Sequence, residues 1–551
     1  MLRNTHIAIV SLGLLLGATG CNDFLTSESK DPNNPSQATA QTLLVGIQAA
    51  QFAFQEGTVP MMVCMWVQAC TATNGRFVEQ AGRYVFGAGS NLGANGTDWG
   101  LIYAAGGLID MDTVVTLATR AGDSLYLGID LVWKAFTLGS AADMWGSIPY
   151  TQIRTSPTPA LDSQLVIYDT VQVTLARAIT ALNAAKAGAV TLESPPDLVF
   201  GGDPDAWIAT ANTLKARYWL HVVEAAANGL ITASPFDSAI KYASLGIGDP
   251  SGAGDFRAFH SGNGYPQSNM WFQFQDNSSF GADLESGRAL VDYMKGRNDP
   301  RLGDYFCTNS DVTDTWAAAT AYDAGAQVLD PNGNVQQVVV AGTSGGTEPT
   351  WATGFGDTTV DNGVSWTNEG NLPYGGDDFN KAQPNVSFFD CEPLRFSGDF
   401  RVPFVTYQEN QLILAEANYA LGNTGPAQTN LQNAYDAVPG LASSASGVSG
   451  TALLDSIMLE KYVVMFQNIE ALSDYRRTCI AGSVRAGNFV PITPVTPNVL
   501  GLTAVPGELY YPQTERNTNS NIPPESQEVN AGLRTQSDVH ACTGAGAVAY
   551  P

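Results

Sequence analysis

Charge is scarce in this chain. Lys, Arg, Asp and Glu make up 14% of its 551 residues, against about 25% in a typical soluble protein. What charge there is runs one way, with 52 acidic residues against 26 basic and a net of −26. Nucleic-acid binding needs a basic footprint, so that class is excluded. An anionic membrane surface is excluded as a direct electrostatic partner for the same reason. Histidine is rarer still: there are four, at 6, 221, 260 and 540, and none stands in H-E-x-x-H. His221 sits in an apolar helical pattern and reads as structural. No C-x-x-C pair exists, so the sequence predicts no zinc site, and no motif requires a metal or cofactor. Past the N-terminus no segment reads as apolar enough to cross a bilayer.

Asn, Gln, Ser, Thr and Gly take the place of the missing charge, and 44% of residues are hydrophobic, enough to fold. Such a surface suits neutral polar partners. The N-terminus carries Arg3, an apolar run over 7–16, and the small residues 17–20 before Cys21. That is an export signal over 1–20, too short to span a bilayer as a mature helix. Its ending resembles a bacterial lipobox, which implies cleavage before Cys21 and lipidation of its sulfur. Six cysteines then remain, at 64, 70, 307, 391, 479 and 542. Export permits disulfides; Cys64 and Cys70 are placed for a local pair, but connectivity is not readable from sequence.

Most of the chain reads as helices joined by polar turns. Apolar residues recur at helical spacing over 37–54, 99–118, 125–138, 166–187 and 205–227, and again at Leu412, Ala415 and Tyr419 and at Leu453, Ile457 and Tyr462. Gly422 followed by Gly425-Pro426 marks a helical hairpin. No regular repeat period emerges. From 316 to 370 the pattern turns β-like, with a hairpin signal at "DPNGN" (330–334) and tryptophans at 316, 351 and 366. Those tryptophans suit a small core better than an exposed sugar platform. "GTSGG" (342–346) matches the G-x-S-x-G nucleophile elbow after a strand, but the turn-like Thr347-Glu348-Pro349 follows where a helix is needed, so Ser344 is not read as catalytic. Asp143, Asp276 and Glu285 lie near aromatics and are the carboxylates a glycosidase reading would use.

"LGSAADMWGSIPYTQ" (138–152) resembles the helix-stop signature of the SusD/RagB family of outer-membrane lipoproteins. Six further stretches stand in that family's order: "CNDFLT" (21–26), "DAWIATANTLKARYWLHV" (205–222), "LVDYMKGRNDPRLGDYF" (290–306), "TYQENQLILAEANYALG" (406–422), "IMLEKYVVMFQNIEALSDYRRT" (457–478) and "YPQTERNTN" (511–519). The chain departs from the pattern at Ser147, where the family often has Asp, and in the 316–370 segment, which resembles small modules of phage tail and some carbohydrate-binding proteins. The acidic stretch after the lipid cysteine is short: Asp23, Glu28 and Asp31.

The resemblance implies a mainly α, SusD-like fold of degenerate TPR-type helical hairpins plus loop-rich regions, with a small all-β insert. Its parts are a SusD-like N-terminal part (21–315), the inserted β module (316–370) and a SusD-like C-terminal part (371–551). It implies a lipid-anchored, surface-exposed outer-membrane protein, not an enzyme, that binds an oligosaccharide or other polar nutrient and delivers it to a SusC-like TonB-dependent transporter. A sugar ring offers an apolar face and hydroxyl edges, so a binder needs aromatics beside Asn, Gln, Asp or Arg. Two stretches supply that mixture: 71–84, with Asn74, Arg76, Phe77 and Tyr84, and 263–280, with Tyr265, Asn269, Trp271, Phe272 and Asn277. A glycan-processing hydrolase, or an adhesion or scaffold protein acting through the insert, are the competing classes. Glu416 falls on an apolar helix stripe and needs a cation, expected to be Arg476 or Arg477.

Overall fold

A computed structural model describes residues 38–72, 81–84, 97–191, 197–276, 284–308, 312–354, 356–371, 374–376, 386–389, 391–479, 484–485, 488–489, 502–540 and 542. Cys21 and the stretch 1–20 read as an export signal lie outside them.

The fold is mainly α. Helices α1 (Ala40–Glu56) and α2 (Thr58–Trp66) lead into α3 (Thr97–Tyr103), α4 (Leu108–Ala121), α5 (Ser124–Trp145), α6 (Gln164–Ala187) and α7 (Pro204–Leu220). The caps follow from sequence: Asp123, Ser163 and Asp203 each accept a backbone N–H at the start of α5, α6 and α7, satisfying donors a helix start leaves free. Two long stretches expected as single helices are broken. The 99–118 pattern splits at Ala105 and Gly106, both at positive φ, and the 205–227 pattern stops at His221 before the short helix Val223–Ala227. Two segments, Asp98–Ala121 and Gln164–Ala187, are as apolar as bilayer-crossing helices, contrary to the expectation from sequence. Both are amphipathic: Ile167, Val171 and Leu175 are fully buried while Asp169, Arg177 and Asn183 face out.

Helix α5 ends at Trp145 as the signature demands. Gly146 takes φ 66°, ψ −107° and its N–H returns to the Ala142 carbonyl at 3.0 Å. Ile148–Pro149 then pairs with Leu161–Asp162. Trp145 is buried, donating from Nε1 to the Tyr510 carbonyl at 3.0 Å and meeting Trp99 edge-on at 5.4 Å. The turn is a packed corner.

In the C-terminal part, α8 (Tyr407–Ala420), α9 (Thr424–Asp436), α10 (Thr451–Val464) and α11 (Glu470–Thr478) bring ionised groups into the core. Glu416, fully buried, takes Arg477 Nη1 at 2.6 Å and Lys461 Nζ at 2.7 Å, and Asp474 receives Lys461 at 2.9 Å. Arg477 is therefore its arginine; Arg476 turns instead to Asp538 at 2.8 Å. His221 lies between Asp143 (2.7 Å) and Glu470 (2.8 Å). Arg217 grips Glu409 through two bonds, at 2.5 and 2.6 Å. Burial alone would push the Glu416 carboxyl up, but Arg477 and Lys461 hold it well below the usual carboxylate range.

Strands occupy Ala321 to Asn371. Four of them form an antiparallel sheet in the spatial order Thr358–Asp361, Val364–Asn371, Asn334–Val340, Gln327–Leu329. Trp351 and Trp366 meet edge-on at 5.4 Å over Val328, Val338 and Val364, so they form the core of this segment. Arg288 approaches Glu369 at 3.5 Å, and Lys295 donates to the Glu369 carbonyl at 2.7 Å, tying the last strand to the helix Arg288–Gly296. Three disulfides form: Cys64–Cys70, Cys307–Cys391 and Cys479–Cys542.

Candidate ligand site

A cavity of about 250 Å³ opens between the C-terminal half of α1 and the segment 259–273. Its position follows from the core beneath it. Phe52 of α1 meets Trp133 edge-on at 5.8 Å, and Trp133 meets Phe256 at 4.8 Å. Phe256 belongs to a two-residue strand, Phe256–Arg257, paired with Pro403–Val405. Ala258 extends that pairing with a bond to the Val402 carbonyl at 3.0 Å, which fixes where the chain leaves for Phe259 and His260. On the other side Gln48 of α1 donates to Asp197 at 2.8 Å and accepts from the Leu198 amide at 2.9 Å. This sets Leu198 on the cavity wall.

The walls are apolar: Ala49, Phe52, Ala53, Leu198, Phe259, Pro266 and Met270. The guanidinium of Arg401 lies 4.6 Å from the Phe259 ring centre. Polar groups gather along one part of the lining. Gln273 donates to the Ser268 carbonyl at 2.6 Å, and Ser261 bonds Gln267. Both carboxylate oxygens of Glu56 receive His260 Nε2 at 2.9 Å. Glu56 is fully buried, which pushes its carboxyl up; His260 and the Met270 amide pull it back. With Nε2 committed to Glu56, Nδ1 of His260 meets no protein partner among the described residues. A ring held this way presents a fixed edge to whatever enters.

The candidates read from sequence divide three ways. Asn74, Arg76, Phe77 and Asn277 lie outside the described residues. Tyr84, Asn269 and Trp271 are buried, which removes them from a ligand-facing role. Tyr84 packs edge-on against Trp66 at 5.7 Å, and Trp271 against Phe396 at 5.6 Å. Asn269 donates to the Ser397 carbonyl at 2.6 Å and accepts from the Phe272 amide at 2.8 Å, starting the helix Met270–Asp276. Tyr265 is 41% exposed beside the cavity-lining residues Pro266 and Gln267, and its hydroxyl bonds the Gln273 carbonyl. Phe272 is half-buried. Sequence reasoning missed Phe52, Glu56, Phe259 and His260. The available signal was a rare histidine following Phe259 in a Gly- and Ser-rich loop.

Other motifs resolve into structure. Ser344 is buried, donating to the Ala317 carbonyl at 2.7 Å and accepting from the Thr320 amide at 2.9 Å, so it knits the β segment together. Asp143 is bound to His221 and to the Tyr168 hydroxyl at 2.6 Å. Glu285 is buried in the strand Leu284–Ser286, paired with Cys70–Ala72. Asp276 is exposed at the end of its helix.

Over residues 32–341, more than half its length, the chain matches the family model described as "Starch-binding associating with outer membrane". A chitin-binding protein of solved structure shares 18% identity at a TM-score of 0.61, over 92% of this chain and 98% of its own. A chitin-binding SusD homolog from Flavobacterium johnsoniae shares 16% at 0.60, over 91% and 96%. A SusD/RagB family protein from Bacteroides thetaiotaomicron shares 16% at 0.56, over 92% and 100%. At these identities the likeness is one of fold. No curated protein matches the chain in sequence.

Proposed function

Because this chain belongs to the SusD-like family, we propose that it is a glycan receptor of the outer membrane, anchored by lipid at Cys21 and displayed at the cell surface. It hands its ligand to a SusC-like TonB-dependent transporter and leaves the ligand chemically intact. The observation that carries this reading is the cavity at α1. Phe259, backed by the buried Phe52, offers apolar surface to the C–H face of a sugar, while His260, Gln267 and Gln273 offer polar edges to its hydroxyls. Its volume of about 250 Å³ falls below the roughly 300–1,000 Å³ of sites that enclose a drug-sized ligand. It therefore takes one end or one ring of a longer saccharide. The weakly charged surface and the family's description support a neutral ligand.

Titration calorimetry of the purified chain against a panel of starch- and chitin-derived oligosaccharides tests this. Phe259→Ala and His260→Ala should each weaken the best ligand about tenfold, the effect of losing about 1.4 kcal/mol, with circular dichroism unchanged. Trp271→Phe should leave affinity as it was. Equal affinity in all three variants, or release of shortened saccharides on incubation, overturns the reading. Cys21→Ser should move the protein from the membrane to the soluble fraction. Affinity purification of the anchored form should retain a TonB-dependent transporter.

A further inference from the structure

The Cys479–Cys542 disulfide has a neighbour that sets it apart. Cys479 follows α11 in the left-handed conformation, φ 57° and ψ 18°. Its sulfur lies 3.4 Å from Nε2 of His540, and the Cys542 sulfur lies 4.0 Å from the same nitrogen. The other ring nitrogen, Nδ1, bonds the Glu224 carboxylate at 2.5 Å. Both cysteines and Glu224 are buried, with His540 side-chain exposure at 10%. Among the described residues, no histidine joins a ligand cluster with either of the other two disulfides.

A carboxylate holding one imidazole nitrogen fixes the tautomer and aims the lone pair of the other. Metal-ligating histidines are oriented in this way. Here Nε2 faces two sulfurs, to which it can present that lone pair once they are thiolates. Two thiolates and one imidazole, with a fourth position left to water, form a donor set suited to zinc(II) and its thiophilic relatives. The three ligand atoms already lie within 4.8 Å of one another. Two zinc–sulfur bonds of about 2.3 Å at a tetrahedral angle need the sulfurs to part only to roughly 3.8 Å.

We propose that Cys479, Cys542 and His540 form a redox-conditional cation site, closed as a disulfide and opened by a dithiol reductant, with Glu224 as the residue that positions the imidazole. In the opening step a dithiol gives two electrons and two protons to the S–S bond. The bond breaks to two thiols, and the dithiol closes to its own cyclic disulfide. A divalent cation then displaces the two thiol protons to solvent and takes the Nε2 lone pair. Both states link the end of α11 to the C-terminal segment, so that segment stays pinned whether sulfur bonds to sulfur or to metal.

The test uses the full chain with Cys64, Cys70, Cys307 and Cys391 replaced by serine, so that dithiothreitol opens one bond only. After anaerobic reduction and removal of the reductant, cobalt(II), a spectroscopic stand-in for zinc, is titrated in. The expected result is one cobalt per chain with a thiolate-to-cobalt charge-transfer band that the oxidised protein lacks. His540→Ala should weaken binding at least tenfold and Glu224→Gln roughly 10–100-fold, while additional Cys479→Ser and Cys542→Ser replacements abolish the band. The same titration of the otherwise native chain after limited reduction guards against misfolding of the serine variant. No band in either reduced protein, a band that survives loss of Cys479 and Cys542, or helical signal lost on reduction and not restored by cobalt overturns the proposal.

Discussion

Glu416→Gln is expected to cost about 3–5 kcal/mol of stability, the range seen when one member of a buried ion pair is removed. The side chain keeps its size, so no cavity forms, and the effect is electrostatic. Arg477 and Lys461 would then lose the carboxylate they share and keep Asp474 between them, in a site where all four groups are almost wholly buried. The excess positive charge has no solvent to relax into. Adding Lys461→Met removes one of the two cations and leaves Arg477 paired with Asp474, so the double variant should be more stable than Glu416→Gln alone. Urea unfolding midpoints of the two single variants and the double variant measure this coupling. Strict additivity would show that the cluster does not act as a unit.

The second large effect is a pH dependence centred on His221. Burial would push this imidazolium down, but Asp143 and Glu470 on either side outweigh it and raise its pKa from 6.5 to about 9. A raised folded-state value means that the native state holds the proton more tightly than the unfolded chain. The stabilisation is thus complete below pH 6.5 and fades as pH climbs through about 9. Its size is on the order of 3 kcal/mol. His221→Gln cannot carry the charge, so the stability gap between wild type and variant should be widest near pH 6 and shrink toward pH 10. Glu508, raised to about 8 by burial, and Glu528, raised to about 7, also titrate in this window. They titrate in both proteins and drop out of the gap, which then reports His221 together with Asp143 and Glu470, the two carboxylates it holds ionised. A gap independent of pH would mean that His221 is neutral in the fold.

Much of the architecture was written in short-range pattern. Helical periodicity placed α1 and α6 because each has one face to bury, the length of the apolar pattern placed α5, which is buried all round from Gly128 to Trp145, and Gly146 before Pro149 marked where α5 must stop. The alternation and Asp-Pro-Asn-Gly of 327–340 marked a hairpin because a turn and its strands are neighbours in sequence. The helix breaks at Ala105 and His221 escaped notice: Gly106-Gly107 was a local stop signal left unused, while nothing in the sequence at His221 marks one. The site was legible only as composition. Trp271 and Tyr265 sit six residues apart in one polar, aromatic stretch, yet one is fully buried and the other 41% exposed. Nothing local distinguishes them; Phe396 and Phe466, which enclose Trp271, arrive from more than a hundred residues away. The Glu56–His260 pair likewise joins positions 204 apart, beyond any motif. Arg477 rather than Arg476 met Glu416 because consecutive helical residues point in different directions.

Cys307 and Cys391 stand on either side of the β segment, and their bond brings the two Cα atoms to 5.7 Å across a separation of 84 residues. Mechanically that bond is a bypass. A pull transmitted along the polypeptide crosses from one sulfur to the other and never enters the strands between them. A pull on the two ends of the chain would pass this loop by and load the helices on either side, and only cutting the sulfur bridge would put the strands in its covalent path.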